Sequence, residues 1–206
     1  MDAGPFREIG IVGAGFMGAQ LALHCAAHGY PVRVADRSPA ALARMRRAHE
    51  DELGRRVAAG RLSPAEQAAV AGRVHATTDL AAAVAAVDLA IEAVPEELAL
   101  KRAVFGQLDR LCPAHAILAT NSSALRVALL EDATGRPDRV LNAHFYPPVW
   151  QRPMVELMRG TATSEATVAR MRRFARSIGM TPLMVQSVDQ RSGAGHLVRL
   201  SKNERR

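Results

Sequence analysis

The chain has 206 residues, a formal net charge of +7 and a hydrophobic fraction of 49%. This length suits one large domain, alone or with an appendage, and the apolar content argues against global disorder. Two cysteines are too few for a disulfide scaffold, and no segment approaches the roughly 20 apolar residues of a membrane span. Because the acidic N-terminus does not resemble a signal peptide, we predict a cytoplasmic protein with no membrane partner.

The positive charge is carried almost entirely by arginine, since lysine occurs only at positions 101 and 202. Clusters at 44–47 and 170–176 fall in segments with helical periodicity, so solvated helix faces are the simplest explanation. A phosphate-bearing substrate is the functional alternative. We expect no nucleic-acid partner, because neither interleaved aromatic residues nor a base-reading motif accompanies the charge.

Strand and helix patterns alternate along the chain. The predicted strands are 7–13, 30–36, 73–79, 88–95, 115–123, 139–145, 154–160 and 181–186. The predicted helices are 16–29, 38–60 with a break near Gly54, 63–72, 80–87, 96–112, a short one before residue 139, and 164–179. The helix at 63–72 should begin with a capping box formed by Ser63 and Glu66. This alternation predicts an α/β fold of the Rossmann type, a doubly wound, mostly parallel sheet with helices on both faces.

The segment that joins the first strand to the first helix has the spacing G-x-G-x-x-G. The first glycine permits a tight turn, the second lets the backbone approach a pyrophosphate, and the third lets helix and strand pack closely. Asp36 ends the second strand, where its carboxylate suits both ribose hydroxyls and repels a 2′-phosphate, so NAD is favoured over NADP. The turn residues predicted to bind the cofactor are Gly13, Ala14, Gly15, Phe16, Met17 and Gly18.

Two histidines on the first helix, His24 and His28, are four residues apart, as metal ligands on a helix can be. The segment lacks the glutamate of the zinc-protease pattern, and the helix is expected to pack on the sheet. We therefore predict no metal site.

Polar residues end three strands at the edge of the sheet where ligands bind in this fold. They are the segment 120–123, His144 and, on the strand that follows, Glu156. Because two prolines at 147–148 force a turn, the last two strands can lie side by side with His144 next to Glu156. The carboxylate would fix the imidazole tautomer, the other ring nitrogen would take a proton from a substrate hydroxyl, and Ser123 would bond the same oxygen. From spacing alone, a core histidine beside a strand-edge carboxylate is an equally good interpretation.

Several motifs, in order, resemble one known family. The segments 9–18, 88–125 and 144–157 are similar to the NAD-binding domain of the 3-hydroxyacyl-CoA dehydrogenases, and the similarity extends over about residues 7–186. The resemblance implies a fatty-acid-metabolism oxidoreductase that interconverts a 3-hydroxyacyl thioester and its 3-keto form. It implies His144 as general base, Glu156 as its partner and Ser123 in contact with substrate and cofactor. It also implies that Glu96 and Lys101 lie beside the NAD ribose and nicotinamide.

The chain departs from the family in three respects. Pro147 stands where the family commonly has asparagine, and the divergent segment 144–148 leaves the acyl carrier open between coenzyme A, a carrier protein and a free hydroxy acid. We assign residues 1–186 to one NAD-binding Rossmann domain. Residues 187–206 are basic, match neither the family's P-G-F-x-x-N-R motif nor its helical domain, and are expected to be a disordered tail.

Two functions therefore remain open. The first is an NAD-dependent dehydrogenase acting on a small acyl thioester. The second is an NAD-binding module or remnant without turnover, which would need a helical domain for activity. Either a homodimer or a separate partner chain is compatible with that need.

Overall fold

The fold was analysed in a computed structural model, which describes residues 5–185. Within these residues, eight strands form one sheet in the order β3-β2-β1-β4-β5-β6-β7-β8. The strands are β1 (Ile9–Val12), β2 (Val32–Ala35), β3 (Val74–Thr77), β4 (Leu89–Glu92), β5 (Ile117–Thr120), β6 (Val140–Phe145), β7 (Met154–Arg159) and β8 (Thr181–Val185). All neighbours pair in parallel except β6 and β7, which are antiparallel. This order confirms the predicted Rossmann-type fold.

In the described part of the chain, six α-helices cover the two faces of the sheet, and three 3₁₀ helices lie between β5 and β6. The α-helices are α1 (Phe16–Ala27), α2 (Pro39–Ala58), α3 (Pro64–Gly72), α4 (Leu80–Val84), α5 (Leu98–Leu111) and α6 (Glu165–Ser177). The 3₁₀ helices are Val127–Leu129, Glu131–Ala133 and Pro137–Arg139, where the sequence predicted one short helix. The predicted capping box at Ser63 is present, with reciprocal hydrogen bonds between Ser63 and Glu66.

The central strands are buried on both faces, which explains why their sequences read as nearly continuous apolar runs. Ile9 and Ile11 of β1 belong to the core formed with α1, α2 and α6, whereas Val12 belongs to a second core formed with α4 and α5. Because β1, β4, β5 and β6 run parallel, their carboxyl ends lie at the same edge of the sheet. This is the edge that carries the polar residues.

The predicted break in the second helix is wrong, because α2 continues through Gly54. Glycine in a helix interior costs about 1 kcal/mol relative to alanine, too little to end a helix with other support. Here Leu53 is buried in the core, and Glu52 pairs with both Arg55 and Arg56 across the glycine. Packing and ion pairs on either side therefore hold the helix together.

The proposed boundary between domain and tail at residues 186–187 lies outside the described residues. Among residues 5–185, no helix is both long and apolar enough to cross a membrane.

Candidate active site

The glycine-rich turn after β1 has no room for a side chain at its first and third glycines, as the sequence predicted. Gly13 has φ = 106°, and a Cβ added there would lie 2.7 Å from the Ala93 carbonyl oxygen. A Cβ at Gly18 would lie 1.8 Å from the Gly13 carbonyl oxygen, whereas a Cβ at Gly15 would meet nothing within 4 Å. The first and third glycines are thus required by the fold, and the second faces open space.

The carboxylate of Asp36 ties the end of β2 to this turn. Asp36 Oδ2 accepts from the Ala14 backbone N–H (2.8 Å), and Oδ1 accepts from the Ser38 backbone N–H (2.8 Å). Gly15, at the N-cap of α1, has no side chain to cover the N–H groups of the first turn. The site fits a dinucleotide in three ways: the helix end can bind an anion, the glycine leaves access to that helix end open, and the carboxylate is fixed in place.

A buried ion pair lies below the loop that follows β4, and sequence analysis missed one of its members. Glu92 is fully buried and accepts from Lys101 Nζ (2.7 Å), Thr120 Oγ1 (2.7 Å) and the Val94 backbone N–H (2.7 Å). Lys101 is only 1% exposed, so its ammonium forms ion pairs with protein carboxylates at this position. A charged residue inside an apolar strand, followed by a lone lysine on the next helix, was the available signal.

Glu96 connects the β4 loop to the β5 loop. Its Oε2 lies 3.2 Å from Lys101 Nζ, and its Oε1 accepts from the Ser122 hydroxyl and the Ala124 backbone N–H. Partial burial raises the pKa of Glu96, but these hydrogen bonds and the Lys101 charge outweigh it and hold the pKa below its usual value. Glu96 is therefore a fixed anion at the edge of the sheet.

The segment 120–123 is held against β6, which carries the histidine. Phe145 N–H donates to Asn121 Oδ1 (2.9 Å), and Asn142 Nδ2 donates to the Ser122 carbonyl oxygen (2.7 Å). These two bonds flank His144 along the strand, so they fix the Ser123 loop next to it. Ser123 itself is exposed at the end of this loop. Asn142 was missed because a single amide in an apolar strand gives no local signal.

His144 and Glu156 are directly opposite each other in the antiparallel β6–β7 ladder. His144 Nδ1 lies 3.2 Å from Glu156 Oε2, and their side chains are 13% and 8% exposed. The structure therefore brings together the pair that the sequence predicted, and a neutral ring with Nδ1–H donating leaves Nε2 free. The Tyr146 ring packs on His144 with a centroid distance of 4.3 Å, a neighbour that sequence analysis did not identify.

A cavity of about 490 Å³ opens beside the glycine turn, between α1, α2 and the connection from β6 to β7. Its walls include Gly15, Phe16, Arg44, Arg55, Pro148 and Trp150. Phe16 is 72% exposed and therefore available to a ligand. Glu52 is also part of the wall and pairs with Arg55, so Arg44 is the wall residue that adds positive charge beyond this pair.

The two histidines of α1 have structural partners. His24 Nε2 bonds the Ile178 carbonyl oxygen (2.9 Å), and His28 Nδ1 lies 2.9 Å from the His24 carbonyl oxygen. Within the described part of the chain, no three His, Cys, Asp or Glu side chains are grouped so as to hold a metal ion.

Comparison with known proteins decides the family. Residues 8–188 match the family model described as "3-hydroxyacyl-CoA dehydrogenase, NAD binding domain". The chain belongs to this family. The match confirms the resemblance seen in the sequence and NAD as the cofactor, while the individual contacts with NAD stay predictions.

Three relatives show how far the similarity extends. The probable 3-hydroxybutyryl-CoA dehydrogenase of Bacillus subtilis (strain 168) is 36% identical over 87% of this chain and 62% of its own length. The fatty acid oxidation complex subunit alpha of Ectopseudomonas oleovorans is 34% identical over 87% of this chain and 25% of its own length. The crystal structure of M. tuberculosis FadB2 superposes with a TM-score of 0.86 at 35% identity, over 89% of this chain and 65% of that one. The chain thus spans less than two thirds of each of these proteins.

Proposed function

We propose that this chain supplies the cofactor site and the general base of an NAD-dependent dehydrogenase that interconverts a 3-hydroxyacyl thioester and its 3-keto form. The observation that carries the proposal is the cross-strand pair of His144 and Glu156, 3.2 Å apart at the sheet edge that also carries the glycine turn. A buried carboxylate on one imidazole nitrogen is the arrangement that a general base for an alcohol needs.

In this proposal the cofactor is held by groups that the fold fixes. The N-terminus of α1 binds the pyrophosphate, Asp36 bonds the adenosine ribose, and Glu96, with Lys101 behind it, lies beside the second ribose. Bound there, NAD would supply the acceptor for a hydride from the substrate carbon that carries the hydroxyl. Ser123 lies between the two ligands.

The protein's own contribution to the reaction is the movement of one proton. Nδ1–H of His144 donates to Glu156, so Nε2 is unprotonated and takes the proton of the substrate hydroxyl as the C–H bond breaks. Glu156 stabilises the imidazolium that forms. In the opposite direction the imidazolium returns the proton to the keto oxygen, and the Ser123 hydroxyl donates to that same oxygen.

The cavity beside the glycine turn supports a thioester with a phosphate-bearing carrier as the substrate. Arg44 in its wall favours the negative charge of such a carrier, whereas Arg55 pairs with Glu52 of the same wall. Two of the relatives are named as dehydrogenases of a CoA thioester or as part of a fatty acid oxidation complex. We therefore propose an acyl-CoA, with a carrier-protein thioester as the variant to be tested beside it.

The test combines NADH consumption with acetoacetyl-CoA and an NADH-binding titration on the same sample of residues 1–206. His144→Ala should retain NADH binding and lower turnover by a factor of about 10²–10⁴, the usual contribution of a general base. His75→Ala is the matched control, because His75 is exposed on β3. Unchanged turnover in His144→Ala would show that the base is misassigned.

The wild-type chain discriminates the two functions left open by the sequence. Turnover supports the dehydrogenase. NADH binding without turnover supports an NAD-binding module that needs a helical domain from a second copy or a partner chain. Absence of NADH binding would contradict the cofactor site itself.

A further inference from the structure

Trp150 lies in the wall of the cavity beside the glycine turn, within the connection from β6 to β7. It occupies a turn that is closed by a hydrogen bond from the Gln151 N–H to the Pro148 carbonyl oxygen (2.9 Å). The preceding residue, Val149, is fully buried and donates its N–H to Gln20 Oε1 of α1 (3.0 Å). The backbone of this turn is therefore fixed, and the indole is the largest group that the turn contributes to the cavity wall.

The indole is covered on one face by Arg56 of α2. The guanidinium carbon of Arg56 lies over the ring, 5.2 Å from its centroid, which is within the range of a cation–π contact. The Arg56 side chain is 18% exposed, whereas that of the neighbouring Arg55 is 67% exposed. Arg56 is thus the one of these two arginines that packs against the protein.

Glu52 holds the Arg56 side chain from one helical turn away. Glu52 Oε1 accepts from Arg56 Nε (2.9 Å), while Oε2 accepts from Arg55 Nη2 (2.8 Å). Arg56 Nη2 is buried and has no hydrogen-bond acceptor among residues 5–185. Because a buried donor without an acceptor is costly, the negative face of the indole supplies the second partner that the guanidinium needs.

We infer that Arg56 is a positioning residue that fixes the Trp150 indole in the cavity wall and thereby sets the affinity of the cavity for its ligand. A ring that is already held in place presents a flat apolar surface, so a ligand that packs on it does not have to order a side chain. The effect on a ligand rests on the proposed function, in which the cavity takes the carrier part of an acyl-CoA. The position of the ring does not rest on it.

The pair acts on binding and not on the proposed proton transfer, because the register of β6 and β7 sets the positions of His144 and Glu156. Loss of Arg56 should therefore raise KM and leave kcat unchanged. If Arg56 served only to support α2 through its ion pair with Glu52, its loss would change stability alone.

The experiment uses the fluorescence of Trp150, which is the single tryptophan of the chain. Acrylamide quenching and the emission maximum are measured for residues 1–206 as wild type, Arg56→Met and Arg47→Met, with far-UV circular dichroism as the check of the fold. Arg56→Met retains an aliphatic stem without the charge, so it should increase quenching and move the emission to longer wavelength. Loss of the contact should change the ratio of held to displaced rings by about five-fold.

Arg47→Met is the matched control, because Arg47 is exposed on the same helix and lies outside the cavity wall. It should give wild-type quenching. If Arg56→Met does not fold, Arg56→Lys carries the same test, since lysine can keep the ion pair with Glu52 but lacks the planar group that stacks on the indole. Unchanged quenching in the folded variant would overturn the inference.

Calorimetric titration with acetoacetyl-CoA tests the consequence for binding. Arg56→Met should weaken binding by about 2- to 10-fold, which corresponds to the ordering of one side chain. With Trp150→Ala already present, Arg56→Met should have no further effect. A full loss in that background would show that Arg56 contacts the ligand itself and would overturn the inference. A wild-type chain that does not bind acetoacetyl-CoA, in a series that shows the change in quenching, contradicts the proposed substrate and retains the role of Arg56 in holding the indole.

Discussion

Replacing Gly18 with alanine should damage the cofactor turn more than any other single-methyl change there. The added Cβ would lie 1.8 Å from the Gly13 carbonyl oxygen and 3.0 Å from its carbon, where ordinary contact begins at 3.4 Å. Both neighbours are backbone atoms, so α1 and the turn have to separate by about 1.5 Å. We expect a loss of about 3 kcal/mol in the free energy of unfolding, the upper end for an overpacked site.

The same displacement moves the helix N–H groups away from the proposed pyrophosphate position. Hydrogen bonds to a charged group contribute about 1.5–3 kcal/mol each, so losing one weakens NADH binding by about 10- to 100-fold. Gly15→Ala separates the two effects, because its Cβ meets nothing within 4 Å: it should retain stability and lose affinity. Gly54→Ala, in the exposed part of α2, should retain affinity and gain up to about 1 kcal/mol of stability. Urea unfolding and NADH titration of the three variants measure both quantities, and wild-type values for Gly18→Ala would refute the reasoning.

Two further predictions concern buried charge. Lys101→Met breaks the buried pair with Glu92 and should lower the free energy of unfolding by about 3–5 kcal/mol. Arg102→Met, in an exposed pair on the same helix, should lower it little. Equal shifts of the urea midpoint in the two variants would contradict this prediction. Burial, followed by the charge of His28, lowers the pKa of His24 from 6.5 to about 4. The unfolded chain therefore binds the proton first, and stability that is complete above pH 6.5 should fall by up to about 3 kcal/mol as the pH decreases toward 4. His24→Gln should flatten that slope in urea titrations across this range.

The elements that sequence analysis predicted correctly are those with strong local signals. The capping box at Ser63 and the glycine turn at 13–18 each involve neighbours within a few residues, and both have the expected geometry. The His144–Glu156 pair was also within reach, because two prolines place two apolar strands next to each other. The break predicted at Gly54 is wrong because the free-energy cost of a glycine in the helix is offset by the packing of Leu53 and the ion pairs of Glu52, which the local sequence does not reveal.

The residues that were missed depend on contacts between distant strands. Glu92 meets Thr120 across the β4–β5 boundary, and Asn142 meets Ser122 across the β5–β6 boundary. Each is a single polar residue in an apolar run, and the neighbouring sequence does not indicate which distant residue forms its hydrogen bond. Tyr146, whose ring packs on that of His144, likewise gives no local signal of that contact.

The antiparallel pairing of β6 with β7 separates two things that an enzyme of this family has to control. The positions of His144 and Glu156 are set by the strand register, and a one-residue slip of β7 would turn Glu156 to the opposite face of the sheet. The connection between them, residues 146–153, instead contributes Pro148 and Trp150 to the wall of the cavity and is attached to α1 through the bond from Val149 N–H to Gln20 Oε1. Its length and composition can change while the register stays fixed. The ligand preference of the cavity can therefore diverge at residues 148–152 without changing the register of His144 and Glu156, which makes these residues the place to begin a redesign of the proposed substrate preference.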